Sequence, residues 1–171
     1  MNLTNTKITI RKATIDDCQL IVDLMKGLGE YENTTEKNVG MATPELIKTN
    51  VFVNKYAEIL IILVNDAPAG FSCFYHNFST FLGKPGLWLE DIFVLPEYRR
   101  LRLGEKLFNE MAKICEERKC IRFEWICVNW NKPALQFYKR LGAKELKDWS
   151  VHRLESDDIK ILAGGIKNSK L

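Results

Sequence analysis

The stretch WLEDIFV, residues 88–94, places two adjacent carboxylates, Glu90 and Asp91, inside an otherwise apolar segment. The apolar and aromatic residues around them predict a strand. Because neighbouring strand residues point to opposite faces of a sheet, at least one carboxylate is expected to be partly buried. Such a group either pairs with a cation or has a raised pKa, and a raised pKa suits a general base. The spacing alone leaves a local salt bridge and a catalytic role equally open.

The next segment, RRLRLGE at residues 99–105, leads from that strand into a predicted helix. Apolar residues at helical spacing make residues 103–118 an amphipathic helix. The N–H groups and the dipole of a helix N-terminus favour anions, and three arginines add positive charge. A pyrophosphate would fit this turn. The alternative, a solvated basic turn, is slightly favoured by the segment on its own.

A third segment, NWNKPALQFYKRLGA at residues 129–143, predicts a capped helix. Asn131 is the expected N-cap, Pro133 is tolerated in the first turn, and Gly142 is expected to end the helix in a left-handed conformation. Tyr138 lies on this helix, and a tyrosine hydroxyl can donate a proton to a leaving thiolate. Spacing alone favours the other interpretation, a core aromatic ring with its hydroxyl at the rim.

The remaining periodicity predicts a mixed sheet flanked by helices, an α/β class fold. One domain is expected over residues 1–164, followed by a short tail at residues 165–171 that should fray. Helices are predicted at residues 15–28 and 44–50, with a polar loop at 30–39. Strands are predicted at residues 7–11, 59–64, 69–78, 87–94, 121–128 and 149–154.

Composition excludes several classes of protein. The chain has 171 residues, 46% of them hydrophobic and 27% charged, as expected for a soluble globular domain. A net charge of +3 is too small to indicate nucleic-acid binding. Neither a membrane span nor a signal peptide is predicted, so a cytoplasmic location is expected. Five cysteines without CxxC spacing and two histidines make no metal-ligand pattern, which favours reduced thiols.

Taken in this order, the three segments resemble the GNAT superfamily of N-acetyltransferases. The match is best to its diamine branch, which includes spermidine/spermine and thialysine acetyltransferases. The likeness covers nearly the whole chain and includes ITIRKAT (8–14), GF (70–71), FYHNFST (74–80), LEDIFV (89–94) and FYKRLGA (137–143). The LED strand together with the WN…FYK helix is specific, whereas either motif alone would be weak.

The resemblance implies a GNAT fold with acetyl-CoA bound in a V between splayed parallel strands. An amine of a small polyamine or thialysine-like substrate would attack the thioester directly in a ternary complex. Glu90 would accept the proton of the amine, and Tyr138 would protonate the leaving CoA thiolate. A homodimer without metal, membrane or nucleic-acid partners is implied. The amine site would be lined by Tyr31, Glu32, Glu90, Asp91, Glu124 and Trp125. Acetyl-CoA would be contacted by Ile92, Phe93, Val94, Arg99, Arg100, Leu101, Arg102, Leu103, Gly104, Glu105, Asn131, Pro133, Ala134 and Tyr138.

One departure from the family pattern concerns the coenzyme turn. Relatives often carry glycine where Arg100 and Arg102 stand, and only Gly104 matches. Glycine there lets the backbone approach phosphates and adopt unusual angles. The arginines would either compensate by charge or block the turn. Three hypotheses therefore stay open: an active amine acetyltransferase, a weakened GNAT-fold binding or regulatory protein, and a protein N-acetyltransferase.

Overall fold

The computed structural model describes residues 6–32 and 41–165. Strands and helices follow the predicted order up to residue 140. The strands are β1 (Ile8–Lys12), β2 (Glu58–Val64), β3 (Ala67–Ser79), β4 (Lys84–Val94) and β5 (Phe123–Trp125). The helices are α1 (Cys18–Tyr31), α2 (Pro44–Ile47, continuing as a π-helix over Lys48–Val53), α3 (Leu103–Glu117), α4 (Lys132–Arg140) and α5 (Ser156–Ala163), and short 3₁₀ turns cover Ile15–Asp17 and Pro96–Tyr98.

The five strands form one sheet in the order β1-β2-β3-β4-β5. The first four run antiparallel, and β5 joins β4 in parallel. Asn65 and Asp66 make the tight turn between β2 and β3 with positive φ angles of 51° and 65°, a conformation that these two residue types tolerate. The predicted mixed sheet flanked by helices is thus confirmed.

One face of the sheet packs against α1. Ile59 and Ile61 of β2, Phe71 of β3 and Phe93 of β4 cluster with buried residues of α1, among them Ile21. Alternate residues of these strands point to the same side, which is why a run of apolar residues supplies this layer.

The opposite face packs against α3. Leu60 and Ile62 alternate with the residues that face α1, and they are equally buried. Helix α3 packs against β2, β3 and β4, and its apolar stripe includes the buried Leu107 and Met111. The continuous apolar character of β2 therefore reflects burial on both faces.

An ion pair joins β1 to the start of α1. The Arg11 guanidinium donates to both Asp17 carboxylate oxygens at 2.7 Å, and the Thr14 N–H donates to Asp17 Oδ2 at 2.7 Å. Thr14 is the N-cap of the short turn that leads into α1. The hydrogen bonds from Arg11, with a smaller effect from those of Thr14, lower the pKa of Asp17 to about 2 against the effect of burial.

Several element boundaries differ from the prediction. Helix α1 runs to Tyr31 rather than residue 28, and β4 begins at Lys84 because the preceding turn ends at Gly83, whose φ is +60°. Strand β5 covers only three of the eight predicted residues, since its pairing with β4 stops at Trp125. Residues 33–40, most of the predicted loop, lie outside the described residues.

The predicted strand at residues 149–154 is wrong. Those residues have no regular structure, and the following α5 was not predicted. The chain divides into two compact units, Met1–Ile126 and Cys127–Leu171. Within the described part of the second unit there is no strand, so the alternating pattern of residues 149–154 has no partner there to pair with. The single domain predicted over residues 1–164 stays a prediction, and residues 166–171 of the predicted tail lie outside the described residues.

Replacing Asp17 by Asn should lower the free energy of unfolding by about 2 kcal/mol at pH 7, because the substitution removes a partly buried charge-assisted pair. Asp17 has a depressed pKa when folded, so its contribution is present above about pH 4 and is lost as the pH falls towards 2. Urea unfolding of both proteins between pH 7 and pH 2.5 measures this difference, which should shrink in acid.

The exposed pair of Lys7 and Asp66 provides the control. Its atoms are 2.9 Å apart with side chains 65% and 73% exposed, so Asp66→Asn should cost less than about 0.5 kcal/mol. Equal losses in the two variants would contradict a special role for Asp17.

Candidate active site

A β-bulge in β4 determines where the two adjacent carboxylates lie. Cys73 of β3 is opposite Asp91 and Phe74 is opposite Leu89, which leaves Glu90 as the extra residue. Asp91 therefore shares the face of Cys73, which packs against α1. The Glu90 carboxylate lies over the same face, because it accepts hydrogen bonds from Tyr75 and Trp88 of that face. The alternation expected from the sequence does not hold here, because a bulge shifts the side-chain register by one residue.

Two donors hold one oxygen of the exposed Glu90 carboxylate. The Tyr75 hydroxyl donates to Glu90 Oε2 at 3.3 Å, and Trp88 Nε1 donates to the same atom at 3.2 Å. Burial, followed by the charge of Glu90 and this hydrogen bond, raises the pKa of Tyr75 to about 12. Tyr75 therefore stays protonated and a donor at neutral pH, and the carboxylate keeps a fixed orientation.

Asp91 is the partly buried carboxylate that the sequence predicted. Loss of solvent, then the charge of Glu90 and that of Glu32, raises the pKa of Asp91 to about 6. Glu32, which directly follows α1, therefore adds its negative charge to that of the two adjacent carboxylates of β4. A cation entering this region would relieve the repulsion among them.

Tyr31, predicted for the amine site, contacts two residues predicted for the coenzyme site. It occupies the last turn of α1, with its ring centroid 6.5 Å from that of Phe93. The Arg99 guanidinium carbon lies 4.4 Å from the Tyr31 ring centroid, within the range of a cation–π contact. Arg99 Nε also donates to the Val94 carbonyl at 3.3 Å. The structure thus brings together Tyr31, Phe93, Val94 and Arg99.

Glu124 and Trp125 of β5 point to opposite faces of the sheet. Glu124 Oε2 accepts a 2.7 Å hydrogen bond from Asn77, which lies on the face of Tyr75, and forms an ion pair of 2.9 Å with Arg122. The Trp125 ring packs edge-on against Phe108 of α3 at 5.1 Å. Only the first of these two residues shares the face of the carboxylate cluster.

Beyond the bulge, β4 has an edge that β5 does not cover. Within the described residues, β5 pairs with β4 only from Leu87 to Leu89. The Leu95 N–H donates to Ala69 of β3, and alternate N–H groups of an antiparallel strand point to opposite sides. The N–H groups of Ile92 and Val94 therefore point away from β3, towards this edge. The pairing agrees with the predicted splaying of the parallel strands near Phe93 and Val94.

The turn at residues 99–104 adopts the conformation that glycine favours. Arg100 and Arg102 have φ angles of 72° and 57°, and both are exposed. Arg102 also donates to both carboxylate oxygens of Glu105 at 2.8 and 2.7 Å. A Cβ added at Gly104 would meet no atom within 4 Å, so the first turn of α3 leaves open space beside its unpaired N–H groups.

The second unit contains the predicted Tyr138 helix with both of its predicted ends. Asn131 is buried and its side chain accepts a hydrogen bond from the Ala134 N–H at 3.2 Å. Gly142 has a φ of +84° and completes a Schellman motif with Ala143. Tyr138 is partly buried, with its ring centroid 5.6 Å from that of Phe137. Pro133 lies in the first turn, as predicted.

The sequence profile of the Acetyltransferase (GNAT) family matches residues 27–143. The chain belongs to this family. It is 30% identical over 168 residues to the thialysine N-epsilon-acetyltransferase of Sus scrofa. The alignment covers 92% of this chain and 98% of that protein. It is 26% identical over 164 residues to the human spermidine/spermine N(1)-acetyltransferase-like protein 1, covering 90% of this chain and 23% of that protein.

The fold of this GNAT acetyltransferase also matches solved structures. The Vibrio cholerae integron cassette protein VCH_CASS6 superimposes with a TM-score of 0.77 at 21% identity, over 91% of this chain and 97% of the other. The predicted GNAT fold and the resemblance to the thialysine and spermidine/spermine branch are therefore confirmed. The predicted roles of individual residues stay predictions.

Four side chains of this GNAT site were not predicted from the sequence. Tyr75, Trp88, Asn77 and Arg122 contact the predicted acids, Glu90 and Glu124, directly. Tyr75 and Asn77 stand at period-two spacing in β3, a signal that places them on one face. The pairing of β3 with β4 that brings this face to Glu90 is not readable from one segment.

The left-handed arginines make a testable prediction about stability. Arg100→Gly should raise the free energy of unfolding by about 0.5–1 kcal/mol. The left-handed conformation costs a non-glycine residue about 1–2 kcal/mol, and the greater chain entropy of glycine in the unfolded state offsets part of the gain. Arg102→Gly should gain less, since it also loses the bond to Glu105. Chemical denaturation measures both. Lys119→Gly is the matched control, because Lys119 is at another left-handed position. Destabilisation by Arg100→Gly would contradict the assignment of strain to the left-handed backbone.

Proposed function

We propose that this chain transfers the acetyl group of acetyl-CoA to a primary amine of a small polyamine or thialysine-like substrate. The observation that carries the proposal is the pair of carboxylates, Glu90 and Asp91, that the bulge places on one face beside the open edge of β4. An ammonium compound needs carboxylates and aromatic faces, and Tyr31 adds such a face. Relatives named for thialysine and for spermidine/spermine support this class of acceptor.

Acetyl-CoA, the co-substrate of the family, would bind along the open edge of β4 that follows the bulge. The N–H groups of Ile92 and Val94 would hold the pantetheine and polarise the thioester carbonyl. The turn at residues 99–104 and the N-terminus of α3 would hold the pyrophosphate, for which the space beside Gly104 and the left-handed backbone are suitable. Asn131, Pro133 and Ala134 would lie near the coenzyme by family resemblance.

In the proposed reaction the amine nitrogen attacks the thioester carbonyl carbon. A carbon–nitrogen bond forms, the carbon–sulfur bond breaks, and the electron pair of that bond leaves with the CoA sulfur. Glu90 accepts the proton that the amine loses, directly or through water, and Tyr138 donates a proton to the thiolate. Tyr75 and Trp88 act as positioning residues, because both bind Glu90 Oε2 and leave Oε1 for the amine.

The alternative of a weakened binding or regulatory protein was motivated by Arg100 and Arg102. The left-handed backbone at both positions argues against it, because the turn keeps the conformation that glycine would adopt. The alternative of a protein N-acetyltransferase keeps the chemistry and changes the acceptor, and the clustered carboxylates favour a small cationic amine instead. Homodimerisation and a cytoplasmic location stay predictions, and sedimentation would test the first.

A substrate panel tests the proposal. Purified protein at saturating acetyl-CoA should release CoA in the presence of at least one of spermidine, spermine, putrescine and thialysine. Calorimetry on the same sample should give acetyl-CoA binding at micromolar or tighter affinity. Coenzyme binding without turnover of any amine would favour the binding-protein alternative, and absence of both would contradict the family-based role altogether.

Substitution of the two proposed proton-transfer groups tests the chemistry. Glu90→Gln removes the base and Tyr138→Phe removes the acid, so each should lower kcat by about 10²–10⁴-fold with little change in acetyl-CoA affinity. Steady-state kinetics and calorimetry measure both quantities. Glu110→Gln, in an exposed ion pair on α3, is the control, and near-wild-type rates in both site variants would exclude these roles.

A further inference from the structure

Arg122 is held by a network that spans three strands. Its guanidinium lies 2.9 Å from Glu124 Oε2, 3.2 Å from the Phe78 carbonyl and 3.4 Å from Asn77 Oδ1. The side chain crosses β4 at Gly86, where an added Cβ would stand 2.7 Å from Arg122 Cγ and 2.2 Å from Asn77 Oδ1. The glycine thus makes room for the arginine, and the three contacts give the partly exposed guanidinium a defined position.

This network neutralises one of the carboxylates on the amine face. Glu124, Asn77 and Tyr75 share the face on which Glu90 and Asp91 lie. The Glu124 side chain is 27% exposed and that of Arg122 is 37% exposed, so the pair is screened less than a surface pair would be. The charge along this face is therefore graded, negative at the bulge and close to neutral beside Arg122.

A polyamine with three or four ammonium groups needs carboxylates spaced along its length. At the bulge, Glu90 would accept the reacting amine, and the adjacent Asp91 would lie beside one further ammonium. A third ammonium would reach towards Glu124, where the guanidinium of Arg122 already occupies the carboxylate and repels another cation. A substrate with one reacting amine and one further ammonium avoids this repulsion.

We propose that Arg122 is a specificity-determining residue that limits the amine site to acceptors with two ammonium groups, such as a short diamine or a basic amino acid. This inference rests on the proposed function and narrows its substrate class. Arg122 acts by masking Glu124, so its effect on selectivity requires that glutamate.

The test is the ratio of kcat/KM for spermine to kcat/KM for 1,3-diaminopropane. Arg122→Gln unmasks Glu124 and should raise this ratio by about 3- to 10-fold, in line with an ion pair of about 1 kcal/mol. The double variant with Glu124→Gln should return to the wild-type ratio. Arg122→Lys keeps the charge and should leave the ratio unchanged, whereas Glu124→Gln alone leaves an unpaired guanidinium and should lower it.

Lys113→Gln is the control for net charge, because it removes a cation from an exposed pair on α3. The role of Arg122 would be overturned if the kcat/KM ratio is unchanged in a folded Arg122→Gln variant. It would also be overturned if the double variant or Lys113→Gln raises the ratio as much as Arg122→Gln does. Dissociation constants of the two amines, measured by calorimetry on the same variants, give the same ratio without turnover. Absence of acetylation in wild type therefore contradicts the proposed function, while the binding ratio still decides the role of Arg122.

Discussion

The bulge at Glu90 is the constraint on which the rest of this site depends. One extra residue in β4 moves Asp91 to the face of Cys73 and leaves Glu90 over the same face. It also follows directly on Leu89, the last residue of β4 that pairs with β5. A single irregularity thus gathers the carboxylates on one side of the strand and exposes the N–H groups of Ile92 and Val94 along its edge. In the proposed function, amine and thioester would meet at this strand, because the same break in pairing forms both the carboxylate face and the open edge.

The turn after β4 shows a different way of keeping a functional conformation. Arg100 and Arg102 occupy left-handed backbone angles that cost a non-glycine residue about 1–2 kcal/mol each. The bidentate bond from Arg102 to Glu105 fixes one of these residues at the start of α3. Strain of this kind persists where the surrounding structure determines the backbone, and it concentrates at functional sites. The charge of the arginines is a property that glycine could not supply beside a helix N-terminus.

Sequence reasoning predicted the elements whose signals are local. The apolar stripe of α3, the N-cap at Asn131 and the end of α4 at Gly142 follow from neighbouring residues alone. Features that depend on a partner strand were missed: the bulge, the short β5, and the absence of a strand at residues 149–154. The pattern of residues 149–154 satisfies the rule for a strand. That rule describes a single segment, whereas a strand also needs the edge of another strand to pair with. The contact of Tyr75 with Glu90 was missed for the same reason, since it depends on the register of β3 with β4. The pair of Arg122 and Glu124 is different, because its period-two spacing within one predicted strand was a local signal.

The two adjacent carboxylates have different environments, and this difference fits two different roles in the proposed reaction, ammonium binding and proton acceptance. Glu90 is exposed and receives two donors on one oxygen, so its position is fixed without an ammonium. Asp91 is partly buried, and its pKa is raised to about 6 by lost solvent and by Glu90 and Glu32. An ammonium beside Asp91 would offset both effects and favour its ionised form. In the proposed reaction, binding of the second ammonium therefore completes the charge balance of the cluster, which leaves Glu90 to accept the proton. Paired titratable groups in unlike surroundings commonly divide their roles in this way.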